Sequence, residues 1–376
     1  MQGAQVIVLV TPVFLLLIAV EWAVGIARGR NTYRLNDALS SIGLGILSQV
    51  TGVFTKLFAI GLYTIAHAHL ALADLPSDAW WVWALALVLY DLAYYWHHRL
   101  GHTCALFWAA HVVHHQSEDY NLSTALRQTS SGWIAGWLFY LPLAVLGIPP
   151  LVFAVVALID LLYQYWVHTQ QIGRMGWFDR WFCAPSNHRV HHAVNDRYVD
   201  RNFGGILIVW DRIFGTYVPE DDAEPCIYGT RAPLRSWNPL WANLEVYASL
   251  ARDSWHAEHW ADKLRVWFGR PGWRPADVAA RFPKPDFDIA NVRRYDPPME
   301  TSARWTAALL FVPLLGAAAA FLWNAHAMRL PEQLAAMGMI VAGSWLVGAI
   351  SSPRRPSRVP SKSPAAALAA SPDPRP

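Results

Sequence analysis

Charge is scarce in this chain. Charged residues make up 15% of its 376 positions and hydrophobic residues 54%, where a soluble domain usually carries about 25% charge. That scarcity excludes a disordered polyelectrolyte, a coiled coil and a nucleic-acid binder with a basic face. The formal net charge of +3 is too small to identify a partner. Cysteine is equally sparse. Cys104, Cys183 and Cys226 are odd in number and share no ligand spacing. They make neither a disulfide framework nor a zinc ribbon, and nothing requires an oxidising compartment. There is no Gly-x-Gly-x-x-Gly fingerprint, no iron–sulfur spacing, no haem-attachment motif and no internal repeat. Redox chemistry here would need electrons from outside the chain.

What is abundant is tryptophan, 21 residues, a favourite of membrane interfaces, together with long apolar runs. Residues 4–26 read as a retained span, because ~20 apolar residues cross ~30 Å of hydrocarbon and no cleavage signal is evident. Residues 38–68 are apolar except for Lys56. A lysine at mid-bilayer costs roughly 2.5–3.5 kcal/mol, which predicts a break there or a protein-facing side chain. Residues 79–96 form a further span between aromatic belts. No charge occurs between Arg127 and Asp160, and Gly147-Ile148-Pro149-Pro150 divides that stretch into expected spans at 131–148 and 150–168. Residues 305–323 and 334–350 make a last pair. Arg-rich segments follow residues 98, 168 and 350, whereas the turns at 70–77 and 147–150 lack Lys and Arg. The positive-inside rule therefore places those three ends in the cytoplasm.

The histidines carry the functional signal. Ten of the fifteen lie between residues 91 and 192. His98 and His102 are spaced i, i+4. His111, His114 and His115 are spaced i, i+3, i+4, and His188, His191 and His192 repeat that pattern. Side chains three or four apart share a helix face, so each set aims its imidazoles one way. His168 stands alone at the cytoplasmic end of its span. All four groups fall at one membrane depth and can converge. Eight or nine imidazoles exceed the three or four ligands of a zinc site and fit two metal ions. Spacing alone does not choose among Fe, Zn, Cu and Ni. For a lone His, an interfacial solvated position is the ordinary explanation; three sets at one depth argue against it. His256 and His259 have no third partner and read as surface.

Helix phase also suggests supporting groups. Asp91, Tyr95, His98 and His102 share a face, and Asp91 can accept a hydrogen bond from a ligand imidazole. Asp160, Gln164 and His168 line up at i, i+4, i+8, with Gln164 a weak ligand or a donor. For each of these, a helix–helix hydrogen bond is the alternative.

His98-Arg99-x-x-His102, His111-x-x-His114-His115 and His188-Arg189-Val190-His191-His192 resemble the fatty acid hydroxylase/sterol desaturase superfamily. Ser117 through Gln128, Tyr165-Trp166-Val167-His168-Thr169, Pro185-Ser186-x-His188, Asn202-Phe203-Gly204-Gly205 and Trp210-Asp211-Arg212-Ile213-Phe214-Gly215-Thr216 are most similar to its alkylglycerol monooxygenase branch. The resemblance implies a di-iron site held by His98, His102, His111, His114, His115, His168, His188, His191 and His192, with His97 a neighbour; helix phase adds Asp91, Asp160 and Gln164 as candidate catalytic-site residues. It implies O2 as co-substrate and an apolar lipid substrate. Thr103 stands where the branch has a Glu associated with tetrahydropterin, which leaves a pterin or a redox protein as the external donor. Asn187 stands where relatives have another His.

The expected fold is an all-α integral membrane protein: a multi-pass helical bundle capped by a cytoplasmic histidine-rich di-metal site. Residues 1–75 are its N-terminal spans and 76–220 its hydroxylase-like core. Residues 221–300 form an amphipathic interfacial layer, 301–350 a C-terminal pair and 351–376 a disordered tail. The expected activity is lipid hydroxylation, with cleavage of ether-linked alkylglycerols one form of it. Desaturation or hydroxylation of a sterol- or carotenoid-like substrate at the same site is an alternative. A zinc-dependent membrane hydrolase or metal-handling protein is an alternative of another class.

Overall fold

The computed structural model describes residues 3–352. The expected tail lies outside them beyond Ser352, as does the side chain of Lys56. In chain order the helices are α1 (Gly3–Ala27), α2 (Leu35–Leu70), α3 (Trp80–Thr103), α4 (Ala105–His115), α5 (Leu122–Ala125), α6 (Leu141–Val145), α7 (Pro150–Trp166), α8 (Phe178–Trp181), α9 (Pro185–His191), α10 (Val209–Ile213), α11 (Pro239–His256), α12 (Trp260–Phe268), α13 (Ala276–Arg281), α14 (Thr301–Asn324) and α15 (Leu330–Ser351). Among the described residues there is no strand, only isolated bridges at Phe182–Leu207 and Ala193–Tyr228.

Four helical stretches are long and apolar enough to cross a membrane: Ala4–Ala27, Leu35–Thr55, Thr301–Ala327 and Leu330–Ser351. Two apolar cores hold the bundle. In one, Ile46 and Val50 of α2 pack with Phe311, Leu314 and Phe321 of α14 and Ile340 and Val347 of α15. In the other, Tyr63 of α2 packs with Val82, Ala86 and Tyr90 of α3, Leu143 and Ala144 of α6, and Val152 and Val156 of α7. α1 is different: its apolar side chains are largely exposed, as suits a helix surrounded by lipid.

Two expectations change. α2 runs unbroken for 36 residues, so of the two alternatives at Lys56 the break is absent, and the protein-facing side chain lies outside the described residues. The span predicted at 131–148 is not one helix. It folds as 3-10 segments Gly132–Ile134 and Gly136–Tyr140, followed by the five-residue α6. Its apolar composition matches a span, but Gly132, Gly136, Pro142 and Gly147 punctuate it. Gly147 has φ +94°, and a Cβ there would lie 2.0 Å from the Ala73 carbonyl oxygen. Only glycine fits that close turn.

Local chemistry sets the ends that carry the histidines. Pro185 opens α9 at a position where its missing N–H costs nothing, and the Asn187 side chain accepts from the Ala184 N–H at 3.0 Å. Asn121 caps α5 through Ser123 N at 3.0 Å. The C-terminal ends of α3 and α7, the whole of α4, and α9 meet at one end of the bundle.

Candidate metal centre

The nine predicted histidines are brought together, and they divide into two groups. His98, His102, His111, His115 and His191 form one; His114, His168, His188 and His192 form the other. Within each group the candidate ligand nitrogens lie within 4.8 Å of one another. All are buried except His111 and His114, which are half-buried. The groups adjoin, with the His115 and His192 rings stacked at 4.3 Å between centroids.

The tautomers follow from the backbone. Nδ1 of His98 lies 2.8 Å from the Phe203 carbonyl, and Nδ1 of His114 lies 3.0 Å from that of Arg127. Nδ1 of His168 lies 2.8 Å from the Gln164 carbonyl, and Nδ1 of His191 lies 3.0 Å from that of Arg201. A carbonyl only accepts, so these Nδ1 atoms carry the proton and each Nε2 is a bare lone pair. Yet the Nε2 atoms face one another. His168 and His114 stand 3.1 Å apart, and both are already committed to donating through Nδ1. His98 to His111 is 3.0 Å, His115 to His111 is 3.0 Å, His191 to His115 is 3.2 Å, and His188 to His168 is 3.0 Å. The facing lone pairs of His168 and His114, at hydrogen-bond distance, need a cation between them. Protons are a poor choice. Burial, then the neighbouring imidazoles, push His98, His111, His115, His168, His188, His191 and His192 well below the ordinary imidazole value, and burial pushes His114 down to about 4. Neutral histidine is also the form a metal binds. His102 Nε2 is buried without a hydrogen-bond partner, as a ligand atom would be. The donor set therefore fits two metal ions.

The expected supporting groups act at one remove. Asp91 bonds no imidazole. Its carboxylate accepts from Ile206 N at 2.7 Å, Leu207 N at 3.0 Å and Trp210 Nε1 at 2.8 Å. Asp211 holds the other half of the same loop, accepting from Phe203 N at 2.8 Å, Gly204 N at 2.7 Å and the Thr216 hydroxyl at 2.6 Å. The two carboxylates thus fix the loop whose Phe203 carbonyl orients His98. Asn202, at φ +55°, ties this loop to α9 by donating to the Asn187 carbonyl at 3.0 Å. The carboxylate beside a ligand imidazole is Asp200, with Oδ1 3.4 Å from His102 Nδ1. Gln164 is likewise no ligand through its side chain. Its amide donates to Asp160 at 2.6 Å and accepts from the Tyr94 hydroxyl at 2.7 Å, while its backbone carbonyl orients His168. Asp91, Asp160 and Gln164 thus bond to the surroundings of the histidines, and none of their side chains bonds an imidazole among the described residues.

The second group has its own frame. Buried Arg127, whose carbonyl orients His114, donates to the Val113 carbonyl at 2.7 Å and to Ser40 and Ser41 of α2 at 3.3 and 3.4 Å. Glu21 of α1 accepts from Leu122 N at 2.8 Å, the Thr169 hydroxyl at 2.5 Å and the Tyr33 hydroxyl. Arg189 pairs with Glu220 at 2.6 Å and donates to the Thr169 carbonyl at 2.9 Å. None of these was singled out from the sequence for the site. Glu21 had a usable signal, as the lone charge of a long apolar run. Thr103 donates to the Arg99 carbonyl of its own helix at 3.0 Å.

A cavity of ≈ 100 Å³ adjoins the first group. His98 and His111 reach its wall. Leu106, Phe107, Ala110, Ile134 and Ala135 make it apolar. The broken stretch 129–136 forms one side of it, and a straight span there would have no reason to curve round the site.

Comparisons agree with this geometry. The family model for Fatty acid hydroxylase matches residues 83–216, the stretch that holds all nine histidines. The chain is 40% identical to human alkylglycerol monooxygenase over 266 residues, covering 70% of this chain and 59% of that one. It is 32% identical to the alkylglycerol monooxygenase of Caenorhabditis elegans over 305 residues, covering 75% and 60%. The ornithine lipid hydroxylase of Rhizobium tropici is 29% identical over 178 residues, covering 45% and 53%. The chain thus spans about 60% of the length of the alkylglycerol monooxygenases it matches. No solved structure matches it.

Proposed function

The chain belongs to the fatty acid hydroxylase family, in the branch of the alkylglycerol monooxygenases, and from that premise we propose that it is a membrane-embedded two-iron oxygenase that hydroxylates a C–H bond of a lipid. The observation that carries this reading is the pair of imidazole groups whose ring nitrogens converge in a five and a four. Five neutral nitrogens exceed what a four-coordinate zinc takes and suit a higher-coordinate ion such as iron. Two ferrous ions held there would supply O2 reduction and hydrogen-atom abstraction from an unactivated carbon.

The chain's own residues do the rest. The carbonyls of Phe203, Arg201, Arg127 and Gln164 hold four of the nine rings, those of His98, His191, His114 and His168, in one tautomer and orientation. Leu106, Phe107, Ala110 and Ile134 keep water from the space beside His98 and His111 and admit an alkyl chain. Each turnover consumes O2, two electrons and two protons and returns an alcohol and water. The electrons come from an external donor, a tetrahydropterin or a redox protein. On an alkylglycerol, hydroxylation beside the ether oxygen gives a hemiacetal, which separates into a fatty aldehyde and glycerol. In this reading the long apolar helices sit in the membrane, and the Arg-rich segments after residues 98, 168 and 350 support a site on its cytoplasmic side.

The test is metal content and O2 uptake on detergent-purified protein from iron-replete cells, beside a His111→Ala, His192→Ala double variant. Two irons per chain and reductant-dependent O2 uptake, both lost in the variant, are expected. Zinc that iron cannot replace, with no O2 uptake under any donor, would overturn the reading in favour of a hydrolase.

A further inference from the structure

Two short helices, α8 and α10, share a pattern. In α8, Asp179 is turned inward, its carboxylate accepting from Met175 N at 2.8 Å, while Arg180 and Trp181 are exposed. In α10, Asp211 is turned inward on Phe203 N and Gly204 N, while Arg212 and Ile213 are exposed. Arg212 Nε donates to the Arg180 carbonyl at 2.9 Å, and a bridge joins Phe182 to Leu207, so the two outward faces lie side by side. Phe214 carries this surface on to α3. Its ring stands 4.9 Å from that of Trp96, and the Arg99 guanidinium lies 5.4 Å over the Trp96 ring. The carboxylates point in and the guanidiniums out, with apolar side chains between them.

These three guanidiniums have no carboxylate partner. Nearby, Arg174, Arg189, Arg197 and Arg231 pair with Asp222, Glu220, Asp221 and Asp196. Arg99, Arg180 and Arg212 form no ion pair among the described residues. Arg99 reaches the buried Asp211 only through the hydroxyls of Tyr95 and Thr216, in steps of 3.1, 2.9 and 2.6 Å. The position of the surface says what covers it. Along α3 and α7 the exposed side chains are aliphatic, as at Val88 and Ile159. At the end of α3 comes Trp96, and at the end of α7 Trp166 meets Phe178 at 6.0 Å; the arginines follow. Aliphatic side chains, then aromatic rings, then cations is the order met in a leaflet from its hydrocarbon to its headgroups. A guanidinium also matches phosphate in geometry as well as charge.

We propose that Arg99, Arg180 and Arg212, with Trp96, Trp181 and Ile213, form a contact site for anionic phospholipid headgroups in the leaflet where α3 and α7 end. The proposal is independent of the oxygenase reading, since it needs neither metal nor O2. A soluble acidic protein would match the charge but would leave the path back along α3 and α7 uncovered. A bilayer covers both at once. Exposed apolar patches rimmed by polar residues mark such membrane contacts, and each basic residue at an anionic surface strengthens binding about fivefold.

The experiment titrates the full chain in dodecyl maltoside with phosphatidylglycerol or phosphatidylcholine as mixed micelles, and separately with glycerol phosphate, and follows the melting temperature at low and high salt. A ligand held by the folded protein raises that temperature. Phosphatidylglycerol should raise it more than phosphatidylcholine, and high salt should shrink the difference. Glycerol phosphate, which lacks an apolar body, should give no shift. In an Arg180→Gln, Arg212→Gln double variant the affinity for phosphatidylglycerol should fall about fivefold per arginine, with phosphatidylcholine unaffected. The corresponding double Lys variant should keep most of the preference, and Arg174→Gln with Arg197→Gln, which removes paired arginines, should keep all of it. Trp181→Ser with Ile213→Ser should weaken both lipids alike. Equal shifts from the two lipids in wild type, or a preference that survives in the Gln variant, would overturn the proposal. A shift from glycerol phosphate alone would replace it with a free-anion site, and one from polyglutamate but not phosphatidylglycerol with a protein-docking site. If the Gln variant does not fold, the salt titration of wild type decides: a preference indifferent to salt rules out the arginine–headgroup contact.

Discussion

The two histidine groups share a chemistry and share the helices α4 and α9, but the backbone carbonyls that orient them belong to different elements. The five-membered group is oriented from a loop: His98 and His191 donate to the carbonyls of Phe203 and Arg201, and Asp91 and Asp211 fix that loop through four backbone N–H groups. The four-membered group is oriented from helix ends: His114 and His168 donate to carbonyls at Arg127 and Gln164, and Arg127, Glu21 and Arg189 brace those ends against neighbouring helices. The first group also borders the cavity through His98 and His111. One half of the centre is thus built beside the substrate space on a held loop, and the other is locked into the bundle. Because the orienting carbonyls differ while α4 and α9 carry histidines of both groups, damage to one set of supports should weaken its own group more than the other.

Removing a ligand from each half is the hardest test of that division. His111→Ala should lose one metal and cut O2 uptake more than about a hundredfold, beyond the 10–100-fold typical of groups behind the ligands. His192→Ala should lose the other metal to a similar extent. Metal analysis of the two single variants checks this: one ion retained in each supports separate halves, and loss of both ions in either would show a single cooperative cluster.

Asp91→Asn comes next. It replaces a carboxylate that accepts from Ile206, Leu207 and Trp210 with an amide that turns an N–H toward donors. Buried hydrogen bonds to a charged group are worth about 1.5–3 kcal/mol. The loop behind His98 should loosen, and metal affinity of the first group should fall roughly tenfold while the second keeps its ion. Stepwise metal titration separates the two, and equal weakening at both would refute the separate frames.

Much of this site was legible before the fold was. The i, i+3, i+4 spacings bring imidazoles to one face by helix geometry alone, and the structure gathers the same nine side chains. The supports were harder to read. Asp91 shares a helix face with His98 and His102, which points to a direct bond. The structure instead routes it through a loop more than a hundred residues away, a relation no local period encodes. Asp200 lies next to His102 only because the chain turns through positive φ at Asp200 and Asn202. The 131–148 stretch was misread because hydropathy counts apolar residues without asking what they surround: wall residues of a cavity and a membrane span have the same composition.

Acid should strip the protections of both halves together. The folded site holds its histidines neutral well below the ordinary imidazole value, with His114 down to about 4, while the unfolded chain titrates near ~6.5. A folded value below the unfolded one means stability is complete above pH ~6.5 and is lost as pH falls toward the folded values, because only the unfolded chain takes up protons in that window. Metal-free protein should therefore melt at progressively lower temperature from pH 6.5 downward, and His114→Gln should flatten that slope. An unchanged slope would mean that His114 does not report the buried neutral state described above.

The smallest effect should come from Glu21→Gln. Glu21 touches no histidine, yet it receives Thr169, the residue after His168, and Leu122 at the head of α5. The amide keeps one acceptor oxygen and the residue's volume, so the bonds weaken without leaving a cavity, at a cost of about 1 kcal/mol. Glu21 links α1 to the site beside the Tyr165 hydroxyl, which donates to the Phe14 carbonyl at 2.9 Å. A two- to threefold drop in affinity for the second ion is expected, with the first unchanged. If Glu21→Gln instead weakens the first group, α1 braces the whole centre and the division between loop-held and helix-held halves does not extend to the membrane helices.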